Sequence, residues 1–183
     1  NCFVPLTAGG GIRSPKDVEN FLKSGADKVL INTYGLINNK LIYKCAKEFG
    51  KQAIVGCLDV KKSGNLYDVY VFSGQKKLKL SMLEACKFLQ DNGVGEIFIN
   101  SIDNDGSKKG FDENILKKVN HLIDVPLTIC GGAANYSHFL KLKKYNLSGM
   151  AASNMFSFKE HSVFQIKKKV YKKISGIRPI EFK

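Results

Sequence analysis

Six short apolar runs, each followed by a stretch with helical spacing, set the tightest limit on how this chain folds. The runs cover 2–7, 28–32, 53–59, 96–100, 125–130 and 149–153. They show little apolar–polar alternation, the pattern of parallel strands covered on both faces by returning helices. Helical spacing fills the intervals 16–22, 41–49, 82–89, 112–122, 136–145 and 159–174, with Val18, Phe21 and Leu22 on one face of the first. Two of the runs echo each other. Val4-Pro5-Leu6-Thr7 leads into Ala8-Gly9-Gly10-Gly11, and Val125-Pro126-Leu127-Thr128 into Ile129-Cys130-Gly131-Gly132. A doubly wound sheet carries one glycine fingerprint near its start, whereas a duplicated strand–glycine-turn unit belongs to a barrel of βα units. The expected fold is therefore a single domain over 1–183, a (β/α)8 TIM barrel represented by about six βα units. The interval 61–79 interrupts this rhythm. There Tyr67, Val69 and Val71 alternate with Asp68, Tyr70 and Phe72 between the turns Ser63-Gly64-Asn65 and Ser73-Gly74, which predicts a hairpin-like excursion within a βα loop.

Charge narrows the partners. The chain carries 29 Lys and Arg against 16 Asp and Glu, a net +13. The lysines are spread through the helices and gather at Lys167–Lys169, Lys172 and Lys173, with no zinc-finger, helix-turn-helix or aromatic RNA-binding motif. They read as solvated surface with some steering of a phosphorylated substrate, and neither nucleic acid nor a membrane is the expected partner. No apolar run approaches the ~20 residues that span a bilayer, and the start carries no signal-peptide pattern. The five cysteines (2, 45, 57, 86 and 130) contain no C-x-x-C pair and sit mostly in apolar segments. Reduced thiols in a cytoplasmic protein follow, without disulfide or zinc.

The glycine turns point to the chemistry. In Thr7-Ala-Gly-Gly-Gly-Ile-Arg13 a strand meets a glycine triplet, and Ser14-Pro15 then opens a helix, so backbone N–H groups can face an anion. Alone, the triplet also fits a tight βα turn without a ligand. The active face of a barrel is built at the C-terminal ends of its strands. Polar or glycine residues stand at every such end here: Gly10 and Gly11, Asn32 and Thr33, Asp59 and Lys61, Asn100 with Asp103, Asp105 and Gly106, Gly131 and Gly132, and Ser153. Gly131 and Gly132 with Ser153 suit one phosphate, and Gly10 and Gly11 with Asn32 and Thr33 a second. Asp59 and the Asp103/Asp105 pair between them suit proton transfer or substrate hydroxyls, joined by Lys61 and Asn100. Asp103-Asn104-Asp105-Gly106 also fits an Asx turn, with Asp103 structural and Asp105 facing the ligand. A metal is the weaker alternative, since His121, His138 and His161 fall in or beside helices. No cofactor is expected.

These blocks resemble the cyclase (synthase) subunit of imidazole glycerol phosphate synthase, a (β/α)8 barrel of the ribulose-phosphate-binding type. The matching stretches are Thr7–Arg13, Gly25-Ala-Asp-Lys-Val-Leu-Ile-Asn32, Asp59-Val-Lys61, Gly95-Glu96, Ser101-Ile-Asp-Asn-Asp-Gly106, Gly131-Gly-Ala133 and Ala151-Ala-Ser153, in order along nearly the whole chain. The resemblance implies a histidine-pathway enzyme that takes ammonia from a glutaminase subunit in a heterodimer. It adds the ammonia to a phosphoribulosyl-formimino carboxamide nucleotide, closes an imidazole and releases an aminoimidazole carboxamide nucleotide. Asp59 would then be the acid that protonates or orients substrate, and Asp105 would hold open-chain sugar hydroxyls. Gly11, Asn32 and Thr33 would hold one phosphate, and Gly132 with Ser153 the other. Lys28 and Glu96, at the opposite strand ends, would belong to a charged ring gating ammonia, with a structural ion pair as the plain alternative. Asp27 would face the glutaminase.

Four departures from the family pattern carry expectations of their own. The first run matches the family's third strand, so an N-terminally truncated barrel without its first two βα units and their catalytic aspartate is expected, inactive by itself. Asn100 stands where the histidine enzymes have threonine, Gly74-Gln-Lys-Lys-Leu-Lys lacks a Thr-Gly, and Cys130 replaces a small residue before the glycine pair. These features resemble cyclase-like partners of amidotransferases that amidate sugars in surface-polysaccharide synthesis. An inactive fragment or basic binding scaffold is the non-enzymatic alternative.

Overall fold

A computed structural model describes residues 4–157 and 162–179. Its strands are β1 (Thr7–Gly9), β2 (Lys28–Ile31), β3 (Ile54–Ser63), β4 (Leu66–Val71), β5 (Lys76–Ser81), β6 (Glu96–Ser101), β7 (Leu127–Cys130) and β8 (Gly149–Ala151). Between them run α1 (Pro15–Lys23), α2 (Thr33–Ile37), α3 (Leu41–Phe49), α4 (Met82–Asp91), α5 (Glu113–Val119), α6 (Tyr136–Lys141), α7 (Asn154–Ser157) and α8 (Ser162–Val170). Six strands form a parallel path in the order β1-β2-β3-β6-β7-β8, and the antiparallel pair β4 and β5 branches from β3. The sheet is open: among the described residues β1 pairs only with β2, and β8 only with β7. It is an incomplete (β/α) barrel, as expected from the sequence.

Capping chemistry sets the helix starts. Ser14 accepts from the Asp17 N–H while Asp17 Oδ2 accepts from the Ser14 N–H at 2.9 Å, a reciprocal box with Pro15 at the first helical position. Ser81 and Glu84 repeat the device before α4. Asp112 and Asn135 cap α5 and α6 by accepting from N–H groups two residues on.

Register decides which side chains share a face. Val29, Ile31, Ile54, Leu58, Val60, Ile97, Ile99, Leu127 and Ile129 are 4% exposed or less and belong to one core with Val18, Ile42, Cys45, Leu89, Ile115 and Leu116 from the helices. The alternate residues of the same strands turn to the other face, and there Lys28, Leu30, Asp59, Glu96, Phe98, Asn100 and Cys130 are only partly buried. The strands thus alternate in burial more than their apolar character predicts. Polar groups occupy both ends of the inner face, leaving Leu30, Val55, Cys57 and Phe98 as its apolar middle.

Several boundaries differ from the sequence reading. The first strand starts at Thr7 rather than at residue 2. Val4 and Leu6 are exposed, because no strand covers the outer side of β1 among the described residues, while Cys2 lies outside them. β3 runs on through Asp59 to Ser63, since its far half pairs with β4 from Asp59↔Tyr70 to Ser63↔Leu66. The excursion is consequently a three-stranded antiparallel flap (β3 end, β4, β5), with a register shift between Asp68 and Tyr70. The expected last helix opens in part outside the described residues, which also exclude His161, and from Ser162 it is followed as α8.

Candidate active site

Both glycine turns open from strand C-termini, as the echo predicts. Gly10 and Gly11 have φ of 115° and 69°, and Gly131 and Gly132 have 107° and 90°, a region that side-chain-bearing residues rarely enter. At the second turn space is decisive too. A Cβ on Gly131 would lie 2.5 Å from the Ser101 carbonyl oxygen, and one on Gly132 would lie 2.2 Å from that of Gly110. The Gly110 N–H donates to the Gly132 carbonyl at 2.8 Å, so this turn is stitched to the loop after β6.

Each turn borders a cavity. One, of about 380 Å3, is lined by Asp105, Gly106, Lys108, Gly131, Gly132, Ala133, Ala134 and Ala152–Met155, thereby gathering the predicted Asp105, Gly106, both glycines and Ser153. The second, of about 340 Å3, is lined by Gly10, Gly11, Arg13, Asn32, Thr33, Tyr34, Asp59, Phe72 and Ser73 among others. In the sheet order β3 and β6 lie between the two turns. Cationic groups that the motif reading did not single out stand at both: Lys108 in the first, and in the second Arg13, whose guanidinium lies 5.3 Å from the Tyr34 ring centre.

Asp59 sits at the meeting point of three strands. Its Oδ2 accepts from Asn32 Nδ2 at 2.8 Å and its Oδ1 from Asn100 Nδ2 at 3.0 Å. The register that aligns Asp59 with Asn100 and Asn100 with Cys130 puts these three in one row across β3, β6 and β7. Asn32 was expected beside a phosphate, yet its amide is turned to the carboxylate, with a further contact of 3.7 Å to Cys57 Sγ. Burial, aided by the nearby Asp59 charge, pushes the Cys57 thiol up, and burial first and Asp105 second push the Cys130 thiol up as well. Both remain protonated and non-nucleophilic at neutral pH.

The remaining predicted residues divide clearly. Thr33 Oγ1 accepts the Phe72 N–H at 3.0 Å, so the tip of the flap is tied to the rim of the second cavity. Phe72 and Ser73 adopt φ of 52° and 56° there, and Phe72 packs edge-on against Tyr34. Asp103 accepts the Lys62 N–H at 2.9 Å, joining the loop after β6 to the flap 41 residues away in sequence, a different contact from the local Asx turn expected. Lys61 lies 4.9 Å from the Tyr70 ring centre and lines neither cavity. At the opposite strand ends Lys28 Nζ pairs with Glu96 Oε2 at 2.7 Å, and the Thr128 hydroxyl donates to Glu96 Oε1 at 2.7 Å. Asp27 accepts the Leu6 N–H at 2.7 Å, fastening the approach to β1 onto the start of β2. Among the described residues no group of three or more His, Cys, Asp and Glu is placed to hold a metal ion.

Comparison with known proteins gives the family. A family model described as "Histidine biosynthesis protein" matches residues 1–162. The chain is 39% identical over 168 residues to the imidazole glycerol phosphate synthase subunit HisF of Streptococcus mutans, covering 91% of this chain and 67% of the relative. It is 35% identical to HisF of Endomicrobium trichonymphae over 97% of the chain and 69% of the relative. The HisF of Alkaliphilus metalliredigens is 36% identical over 92% of the chain and 68% of the relative. The chain spans about two thirds of the length of these relatives. It belongs to the histidine biosynthesis protein family, on its HisF branch.

Proposed function

We propose that this chain carries the cyclase site of an imidazole glycerol phosphate synthase, acting on a nucleotide with phosphates at both ends. The observation that carries the reading is the pair of glycine-turn cavities, the second of which Asp59 lines. Gly131, Gly132 and Ser153, with the Lys108 ammonium near, receive one phosphate. Gly10, Gly11 and the Thr33 hydroxyl receive the other, with Arg13 at its edge. Thr33 retains its own proton for this purpose, since it accepts rather than donates toward Phe72. Asp105 faces the sugar hydroxyls from the first cavity wall. Asp59, gripped by two amides, moves a proton during ring closure after ammonia has added. The Lys28–Glu96–Thr128 cluster stands at the other end of the inner face, where ammonia from a glutaminase partner enters, and Asp27 lies beside it.

Binding and turnover test separate parts of this reading. Isothermal titration of the chain with the phosphoribulosyl-formimino nucleotide should show one site, which Gly132→Ala weakens by roughly tenfold or more. Assembled with the rest of a barrel, the chain should form imidazole product from ammonium salts, and Asp59→Asn should abolish turnover while sparing binding. Full activity in that variant contradicts the assignment of Asp59. Ammonia-dependent modification of a sugar without imidazole formation would instead favour the amidating reading that Asn100 and Cys130 suggest.

A further inference from the structure

The turn that borders the first cavity is held from outside that cavity by a histidine. His138, in the first turn of α6, accepts the Ala134 N–H at its Nδ1 at 3.2 Å. Its ring also packs on Gly110, where an added Cβ would meet the ring Cγ and Cδ2 at 3.4 Å. Gly110 is the residue whose N–H donates to the Gly132 carbonyl at 2.8 Å, and its own carbonyl accepts from Asn104 Nδ2 at 3.3 Å. The ring is thus joined twice to Gly131–Ala134, four residues that all line the first cavity. The ring itself lines a different one, of about 360 Å3. A ring nitrogen accepts an N–H only while it carries no proton. Asn135 Nδ2, another donor, stands 3.4 Å from Nε2, so neither contact favours a second proton on the ring. The charges around it are mostly positive. Lys62, Lys109 and Lys141 share its cavity with Asp112 and Glu113, and those two carboxylates are taken by the Tyr67 hydroxyl and the Lys144 ammonium. Helix α8, which packs on α6, brings only cations, Lys167–Lys169. Burial first and the Lys141 charge second hold the His138 ring below its ordinary 6.5. The ring is therefore neutral at pH 7 and takes up a proton only below 6.5.

We propose that His138 is a positioning residue for the phosphate of the first cavity: through Ala134 and Gly110 its neutral ring keeps the Gly131–Gly132 turn in the form that binds, and its protonation releases the turn. The proposal rests on the reading of that cavity as a phosphate site. Two effects oppose each other on acidification. An imidazolium ion attracts phosphate through space, whereas the loss of the Nδ1 acceptor leaves the Ala134 N–H without its partner and loosens the turn. His138 touches the turn but does not line the cavity, so its charge acts at a distance and under screening. The lost acceptor dominates, and phosphate affinity at this turn falls in acid.

The test measures affinity of the full chain for the phosphoribulosyl-formimino nucleotide by titration calorimetry from about pH 5 to about pH 8, beside His138→Asn and His138→Leu. The asparagine carbonyl can stand where Nδ1 stands and does not titrate, whereas leucine offers no acceptor. Titration of the nucleotide is common to all three chains and cancels in the comparison. At the alkaline end the unaltered chain and His138→Asn should bind alike, and His138→Leu about tenfold more weakly. At the acid end the unaltered chain should fall about tenfold behind His138→Asn. A helix cap with no bearing on the turn would instead lower the urea midpoint of His138→Leu and leave affinity alone. Should His138→Leu fail to fold, the pH profiles of the other two chains decide. Equal or tighter binding by the unaltered chain than by His138→Asn at the acid end would overturn the proposal. Amide spectra of the 15N-labelled chain, in which the Ala134 resonance should follow the protonation of His138, separate the two readings. If the nucleotide binds equally to all three chains at every pH, the role of His138 falls while the cyclase reading stands. If no chain binds it and the Ala134 amide still follows His138, the phosphate reading falls while the hold of the ring on the turn stands.

Discussion

At the scale of single residues, function depends on where a few groups lack freedom. Gly132 combines a φ of 90° with a carbonyl oxygen 2.2 Å from where a Cβ would sit. Alanine there must displace the loop holding Gly110, and with it Asn104 and the wall that carries Asp105. Gly10 and Gly11 meet nothing within 4 Å and are constrained by φ alone. Alanine at Gly11 should therefore weaken nucleotide binding less than alanine at Gly132, a difference that titration calorimetry of the two variants reads directly. The residue scale is also where the sequence told least. It named Asn32, Asp59 and Asn100 as strand-end polar groups, but Asn32 was read as a phosphate ligand. That Asn32 and Asn100 converge on one carboxylate follows from the register Asp59↔Asn100 and the turn after β2, and neither leaves a mark in composition or spacing. Arg13, two residues beyond the last glycine of the turn, was within reach of sequence reasoning.

At the scale of elements, the start of the first helix was legible, while the equally local caps at Ser81, Asp112 and Asn135 were not read. Ser14-Pro15-Lys16-Asp17 announces α1, and the reciprocal box is present. Ser14→Ala should destabilise the chain by about 1 kcal/mol, seen as a lower midpoint in urea. These caps also give a pH dependence. The Arg13 N–H first and the Ser14 hydroxyl second hold the Asp17 carboxyl below its ordinary 3.8, and the Ser81 hydroxyl and N–H hold Glu84 below 4.5. Carboxyls lowered in the folded state contribute stability above their unfolded values and lose it as pH falls through the folded ones. Acidification should thus lower the thermal midpoint, and the double variant Asp17→Asn, Glu84→Gln should flatten that fall. The flap escaped a full reading because its third strand is the continuation of β3. Lys61 and Lys62 look like loop residues in sequence, yet they pair with Asp68 and Tyr67. Thr33, whose side chain accepts the Phe72 N–H, is the tie between flap and barrel. Thr33→Val should leave the fold intact and increase hydrogen exchange at the Phe72 amide.

At the scale of the whole molecule, the fold was legible because its two signals are global. The six-fold strand–helix rhythm gave the parallel path, and the echo of Val-Pro-Leu-Thr followed by glycines gave the two turns that border cavities. The inner face was less visible. Glu96-Ile-Phe-Ile-Asn-Ser101 looks continuously apolar in the middle, while its burial alternates strictly. The outer parity packs against helices and carries the stability. Ile99, fully buried on that side, should cost roughly 2–5 kcal/mol when cut to alanine, with nucleotide affinity unchanged in the fraction that remains folded. The inner parity carries the charged and polar groups: Lys28, Glu96 and Thr128 at one end, Asn32, Asp59 and Asn100 at the other.

On the proposed reading, the two glycine-turn cavities take the two phosphates of one ligand. Isothermal titration of the chain with the doubly phosphorylated nucleotide, and with the same nucleotide lacking either phosphate, tests it most directly. One molecule should bind, removal of each phosphate should cost roughly tenfold or more in affinity, and the truncated ligand should be insensitive to substitution at the turn whose phosphate it lacks. Equal affinity for all three ligands would contradict it.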